Sequence, residues 1–220
     1  MKVALCYSGQ IGAFNKVLQT QKKSFIKKDW DIFLYTSQLV SQKVNKSPNH
    51  TPMSKVYDYL PARTGWRKNQ DISDIIYTIS RQDILNCFTH ISNQVKDSFI
   101  ENESLEDSLT DHNLTKWEWL KKRQLRKMYN CNRLRNKYEE KNNLNYDIVV
   151  RSRFDIQTIP VDVEKIYNDS DNSENKIFLF GGWPCTPPMV FMDEFICDGF
   201  AFGKPEVMNK FTSLYLNEDP

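Results

Sequence analysis

The sequence predicts an α/β domain built on a mainly parallel sheet flanked by helices. Residues 3–7 ("VALCY") and 31–35 ("DIFLY") are short, nearly continuous apolar runs, and between them Phe14, Leu18, Gln21 and Phe25 fall on one helical face. Strands of uninterrupted apolar character are covered on both faces, so this strand–helix–strand unit predicts parallel pairing with a right-handed connection. Ligands on such sheets bind at the carboxyl ends of strands, and the loop "SGQIG" at 8–12 sits at one such end.

From residue 36 to 70 the pattern decays into Ser, Asn, Lys and Pro with isolated aromatics, which predicts a long surface excursion. Ile84, Leu85, Phe88, Ile91, Val95 and Phe99 then repeat at helical spacing, followed by an acidic stretch at 101–112 expected to be solvated. The longest periodic segment comes next. Trp117, Leu120, Gln124, Met128, Cys131, Leu134 or Arg135, and Tyr138 step by three or four, which predicts a helix of about 25 residues. Gln124 interrupts its apolar stripe, either as a satisfied core amide or as a side chain reaching a ligand. Strands are predicted at 146–150, 177–180 and 200–202, and Pro205 opens a last helix with Val207, Met208, Phe211 and Leu214 inward.

With 220 residues, one domain spanning 1–220 is expected. The chain stops at "LNEDP" without a terminating feature, which leaves room for it to be the N-terminal part of a longer protein. Thirty Lys and Arg against 28 Asp and Glu give a formal net charge of +2, so no one-sided basic field points to nucleic acid. The basic run at 121–137 ("KKRQLRKMYNCNRLRNK") reads as a solvated helix face, with room for one of its residues to lean towards a phosphate. Five cysteines, an odd number without a C-x-x-C pair, fit reduced thiols in the cytoplasm. The N-terminal apolar run is shorter than a secretory leader needs, and no segment approaches the roughly 20 apolar residues of a membrane span, so a soluble protein is expected. His50, His90 and His112 lack metal-site spacing, and neither G-x-S-x-G nor a P-loop occurs.

The stretch most suggestive of chemistry is "YDIVVRSRFD" at 146–155, an apolar strand that ends in charge. Buried charges must be paired, bound to metal or turned to a polar cleft. Alternation puts Arg151, Arg153 and Asp155 on one face and Ser152 and Phe154 on the other. An internal ion pair would satisfy this pattern. So would a diphosphate site, where arginine and a carboxylate-bound divalent cation share the neutralisation. A second stretch, "GGWPCTPPMVFMDEFICDGFAFG", sets aromatic rings beside Asp193, Glu194 and Asp198, a combination suited to sugar binding.

The succession "KVALCYSGQ", "DIFLYTS", "YDIVVRSRFD" and "DGFAFG" resembles the nucleotide-sugar-dependent glycosyltransferases of GT-A fold, particularly those encoded by giant algal viruses and by bacterial surface-polysaccharide clusters. The likeness spans nearly the whole chain. It implies a nucleoside diphosphate sugar as donor, with a UDP-sugar foremost, and a glycan hydroxyl as acceptor. It puts Tyr7, Ser8, Gly9 and Gln10 at the nucleotide. The family's Asp-x-Asp metal motif falls on Arg153-Phe154-Asp155, so Asp155 carries over as the ligand of Mn²⁺ or Mg²⁺, while Arg153 stands where the first aspartate is expected and leaves a metal-independent variant open. The late carboxylates, Asp198 first and then Asp193 and Glu194, are the implied base candidates. Arg151, Arg153 and Gln124 are the further candidate donor contacts. A nucleotidyltransferase, which usually clusters two or three acids, and a catalytically silent binding module of the same fold are the competing readings.

Overall fold

The computed structural model describes residues 1–9, 11, 21, 26–45, 72–78, 80–102, 116–154, 161–180 and 199–217. Six strands form one sheet, β1 (Val3–Ser8), β2 (Asp31–Ser37), β5 (Val95–Glu101), β6 (Ile148–Ser152), β7 (Ile177–Phe180) and β8 (Phe200–Gly203), in the order β5-β2-β1-β6-β8-β7. The first four are parallel, while β8 runs antiparallel to both of its neighbours, so the sheet is mixed. The chain steps outward from β1 to β2 and β5, then returns to the other side of β1 with β6. That reversal makes the carboxyl ends of β1 and β6 the topological switch point, the place where sheets of this kind bind ligands.

β1 is central because every residue in it is buried. Its two faces feed two cores. Val3, Leu5 and Tyr7 pack with Trp30, Ile84, Phe88 and, from helix α3 (Val163–Asp169), Val163 and Tyr167. Ala4 and Cys6 face the long helix α2 (Lys116–Asn142), where Cys131 donates its thiol hydrogen towards the Tyr7 and Phe33 carbonyls, at 3.3 and 3.5 Å. At about 1.5 Å per residue α2 is about 40 Å long, against about 20 Å for β1, so it overhangs the sheet. It descends from the rim where strands end to the edge where they begin. There Tyr146 hands its hydroxyl hydrogen to Asp31 at 2.8 Å.

Several expectations need correction. The excursion from residue 36 begins as structure: β2 continues to Ser37, and β3 (Leu39–Asn45) pairs antiparallel with β4 (Ile72–Thr78) in a separate ribbon, Leu39 opposite Thr78 and Asn45 opposite Ile72. Each strand of such a ribbon is specified by a partner about 30 residues distant, a pairing that local periodicity does not reveal. The helical stripe at 84–99 divides in two. Helix α1 (Arg81–Asn86) and a 3₁₀ turn at Thr89–Ile91 bury Ile84, Phe88 and Ile91, but Val95 to Phe99 belong to strand β5. Gln94 marks the break, because its amide donates to the Lys27 and Trp30 carbonyls while its own carbonyl accepts from Ile32, which turns the chain into the sheet. Two positions four apart satisfy period 2 as well as period 3.6.

At the other end, helix α4 (Pro205–Thr212) opens on its proline as expected and buries Met208, whereas Leu214 lies in a 3₁₀ turn and is 39% exposed. The helix ends one turn too early to carry it inward. No helix among the described residues is long and apolar enough to cross a membrane. Cys6, Cys87 and Cys131 are free thiols.

Gly203 closes β8 at a point where backbones crowd. A Cβ there would stand 2.8 Å from the Lys176 carbonyl oxygen. Gly203→Ala is expected to destabilise the fold by about 1–3 kcal/mol, measurable as a lower denaturant midpoint with an unchanged slope.

Candidate functional site at the strand-end crevice

The candidate site begins where β1 stops. Gly9 follows Ser8 with φ +121°, a conformation that L side chains rarely adopt, and this turns the chain sharply out of the sheet. Its N–H reaches the Tyr35 carbonyl at 3.3 Å, and its carbonyl accepts from the Thr36 hydroxyl at 2.8 Å, so the turn is tied to the end of β2. Against it lies the carboxamide of Gln124 from α2. A Cβ on residue 9 would meet Gln124 Oε1 at 2.9 Å and Nε2 at 3.2 Å. Ser8 Oγ and Gln124 Nε2 are both buried, and neither has a hydrogen-bond partner among the described residues. Buried polar atoms are normally satisfied, so such a pair at a strand end marks a place where a ligand or water completes the bonding.

One turn further along α2, Glu101 at the end of β5 collects positive charge. Arg126 Nη2 contacts both its oxygens at 3.1 and 3.2 Å, Lys127 Nζ stands at 3.0 Å, and the Tyr35 hydroxyl joins them. Asn130 donates in turn to Tyr35 at 3.1 Å. Burial opposes the charge on Glu101, but Lys127 and Arg126 outweigh it and hold the carboxyl below its usual range. Burial also pushes the Lys127 ammonium down to about 8, against the pull of Glu101. Burial and then Arg126 lower Arg123 to about 10. Burial first, and then the Glu101 charge, raises Tyr35.

The predicted residues divide into three groups. Gly9, which follows Ser8, meets Gln124, remote in sequence, at the rim. Tyr7 sits on the opposite face of β1, fully buried, stacked on Phe154 with ring centroids 5.3 Å apart and hydrogen-bonded through its hydroxyl to Gln21. Its side chain is part of the core, and burial raises its pKa well above the ordinary value. Arg151 is 1% exposed on the α2 face, with Cys6 and Ala201 as its cross-strand neighbours, so it lies beneath the helix and not in an open cleft. Strand β6 ends at Ser152, earlier than the alternation of Arg151, Arg153 and Asp155 requires. Arg153 follows it, half-buried, with its N–H on the Gly199 carbonyl at 3.0 Å. That bond joins the second arginine of "RSRFD" to the first residue of "GFAFG". Gln10, Asp155, Asp193, Glu194 and Asp198 lie outside the described residues.

Glu101 and its partners escaped the sequence reading. Glu101 ends β5 instead of opening a solvated acidic loop, and the basic run is not wholly a solvated face, because the Lys127 side chain is 2% exposed and Arg135 is also buried. The signal was present: Lys127 stands three residues after Gln124 and four before Cys131, on the inward stripe. Among the described residues no group of three or more His, Cys, Asp or Glu could hold a metal ion, and Glu101 is already engaged by cations. Two surface depressions of about 270 and 380 Å³ lie elsewhere, the first beside Lys96 and Lys141 at the opposite edge of the sheet and the second between α2 and α4. No family model, curated protein or solved structure matches the chain. The described residues define an α/β protein on a mixed six-stranded sheet, with Ser8, Gly9 and Gln124 at the strand ends beside its topological switch point.

Two outcomes follow. Glu101→Leu leaves Lys127 buried without its carboxylate and is expected to cost about 3–5 kcal/mol, most of it recovered by adding Lys127→Met, as a double-mutant cycle in urea would measure. Gly9→Ala is expected to cost about 1–3 kcal/mol through backbone strain, read as a fall in Tm of about 2–4 °C per kcal/mol.

Proposed function

We propose that the chain is a glycosyltransferase that moves a sugar from a nucleoside diphosphate donor, a UDP-sugar, to a glycan hydroxyl. One observation carries this reading beyond the motif resemblance. The candidate nucleotide turn, Ser8–Gly9, and the joined ends of the candidate metal and acceptor stretches, Arg153 against Gly199, belong to three neighbouring strands at the carboxyl end of β1 and β6. In sequence, Asp155 follows Arg153 by two residues and Asp198 immediately precedes Gly199.

Binding falls to Ser8, Gly9, Gln10 and Gln124 at the nucleotide and to Arg153 at the phosphates. Arg123 and Arg126 replace Arg151, which is covered by α2, as the candidates to neutralise diphosphate charge from the helix side. Asp155 would hold Mn²⁺ or Mg²⁺, which supplies charge stabilisation for the departing diphosphate. Asp198 takes the proton of the acceptor hydroxyl if the reaction inverts, with Asp193 and Glu194 beside it in sequence. The arginine at position 153, where the resembled family has an aspartate, favours one rival: a silent glycan- or nucleotide-binding module.

Thermal-shift measurements against a panel of nucleotide sugars with Mn²⁺ are expected to show stabilisation by the true donor, about 2.7 kcal/mol at a hundredfold excess over Kd. Donor hydrolysis should fall about 10²–10⁴-fold in Asp198→Asn with binding retained, and Asp155→Ala should lose its response to Mn²⁺. Donor binding without hydrolysis or transfer would establish the silent module, and a flat panel would refute both.

A further inference from the structure

We infer that the Gln124 carboxamide, together with the Ser8 hydroxyl at the end of β1, reads the base of the donor nucleotide and leaves its phosphates to the arginines. This rests on the donor-binding reading given above and sharpens it to one residue.

The first ground is the pair of unmet bonding requirements. Ser8 is fully buried, yet its Oγ has no partner, and Gln124 Nε2 is buried in the same state against Gly9. A buried donor left unpaired is costly, and where Lys127 on the same stripe has Glu101 as its partner, the Gln124 amide nitrogen has none among the described residues. A core amide would be expected to find a partner inside the fold.

The second ground is chemical type. A hydroxyl and a carboxamide carry no formal charge, whereas phosphate oxygens are matched by guanidinium and ammonium groups. A carboxamide offers a donor and an acceptor side by side in one plane, the pattern complementary to the edge of a nucleobase. Arg126 and Lys127, one turn along the helix, are gathered on Glu101.

The third ground is rigidity. Cys131, two turns beyond Gln124 on the same face of α2, is anchored to the Tyr7 carbonyl, and Lys127, between them, is held by Glu101. The amide is therefore presented from a fixed helix over a glycine whose missing side chain is what makes room for it. A group ordered before the ligand arrives loses little entropy on binding.

Calorimetric titration of wild type and Gln124→Leu with UDP, uridine and inorganic pyrophosphate tests the assignment. UDP and uridine should each weaken by about tenfold in the variant, while pyrophosphate is unchanged. The unliganded variant should melt at the same temperature or higher, since an unpaired donor has been removed; a purely structural amide would give a lower Tm. Gln124→Ala repeats the comparison should leucine prove too bulky. Equal weakening of pyrophosphate, or unchanged uridine binding in a folded variant, overturns the inference and leaves the donor reading standing. A wild type that binds neither UDP nor uridine overturns both.

Discussion

The rim of the sheet depends on a single carboxylate and the cations gathered on it. Glu101 is the last residue of edge strand β5; Arg126 and Lys127 belong to α2, and Tyr35 to β2. A lysine as buried as Lys127 is tolerated only because its charge has a partner, and that partner exists only when α2 lies across β5 and β2 in one register. With Lys127 fixed, Gln124 is carried one turn up the same face to Gly9. Each of these placements follows from the one before it.

Beneath the rim, the registration continues through apolar contacts that tolerate little movement. Cys131 sits under the Tyr7 and Phe33 carbonyls, and Phe33 meets Tyr138 and Tyr146 edge-on at 5.5 and 6.0 Å. On the other face, Tyr7, Phe88 and Phe154 form a ring cluster under the ends of β1 and β6. Phe154 thus anchors the chain directly after "RSR". The charged end of this strand is explained in two parts: Arg151 is enclosed beneath the helix, and Arg153 leaves the strand to bond its backbone to Gly199.

Strong local signals carried over into the structure. Unbroken apolar runs became β1, β2 and β6, the three-four stepping of residues 117–138 became α2, and a proline opened α4, because each is dictated by a period or a backbone restriction inside one segment. Elements that depend on a distant partner did not. The β3–β4 ribbon and the switch of Val95–Phe99 from helix to strand are decided by pairing across the chain, and β8 turns the end of the sheet antiparallel for the same reason.

The site divides along the same line. Residue types and their order determined that Ser8 and Gly9 would end a strand, that Gln124 would face inward and that charge would gather after 150, since these are matters of periodicity and chemistry along the chain. Only the tertiary structure decided that Gln124 would lie on Gly9, that Arg151 would be covered and that Glu101 would be held by Arg126 and Lys127. Those outcomes depend on where a 27-residue helix comes to rest on the sheet, and that position is set by packing and a buried ion pair between residues far apart in sequence.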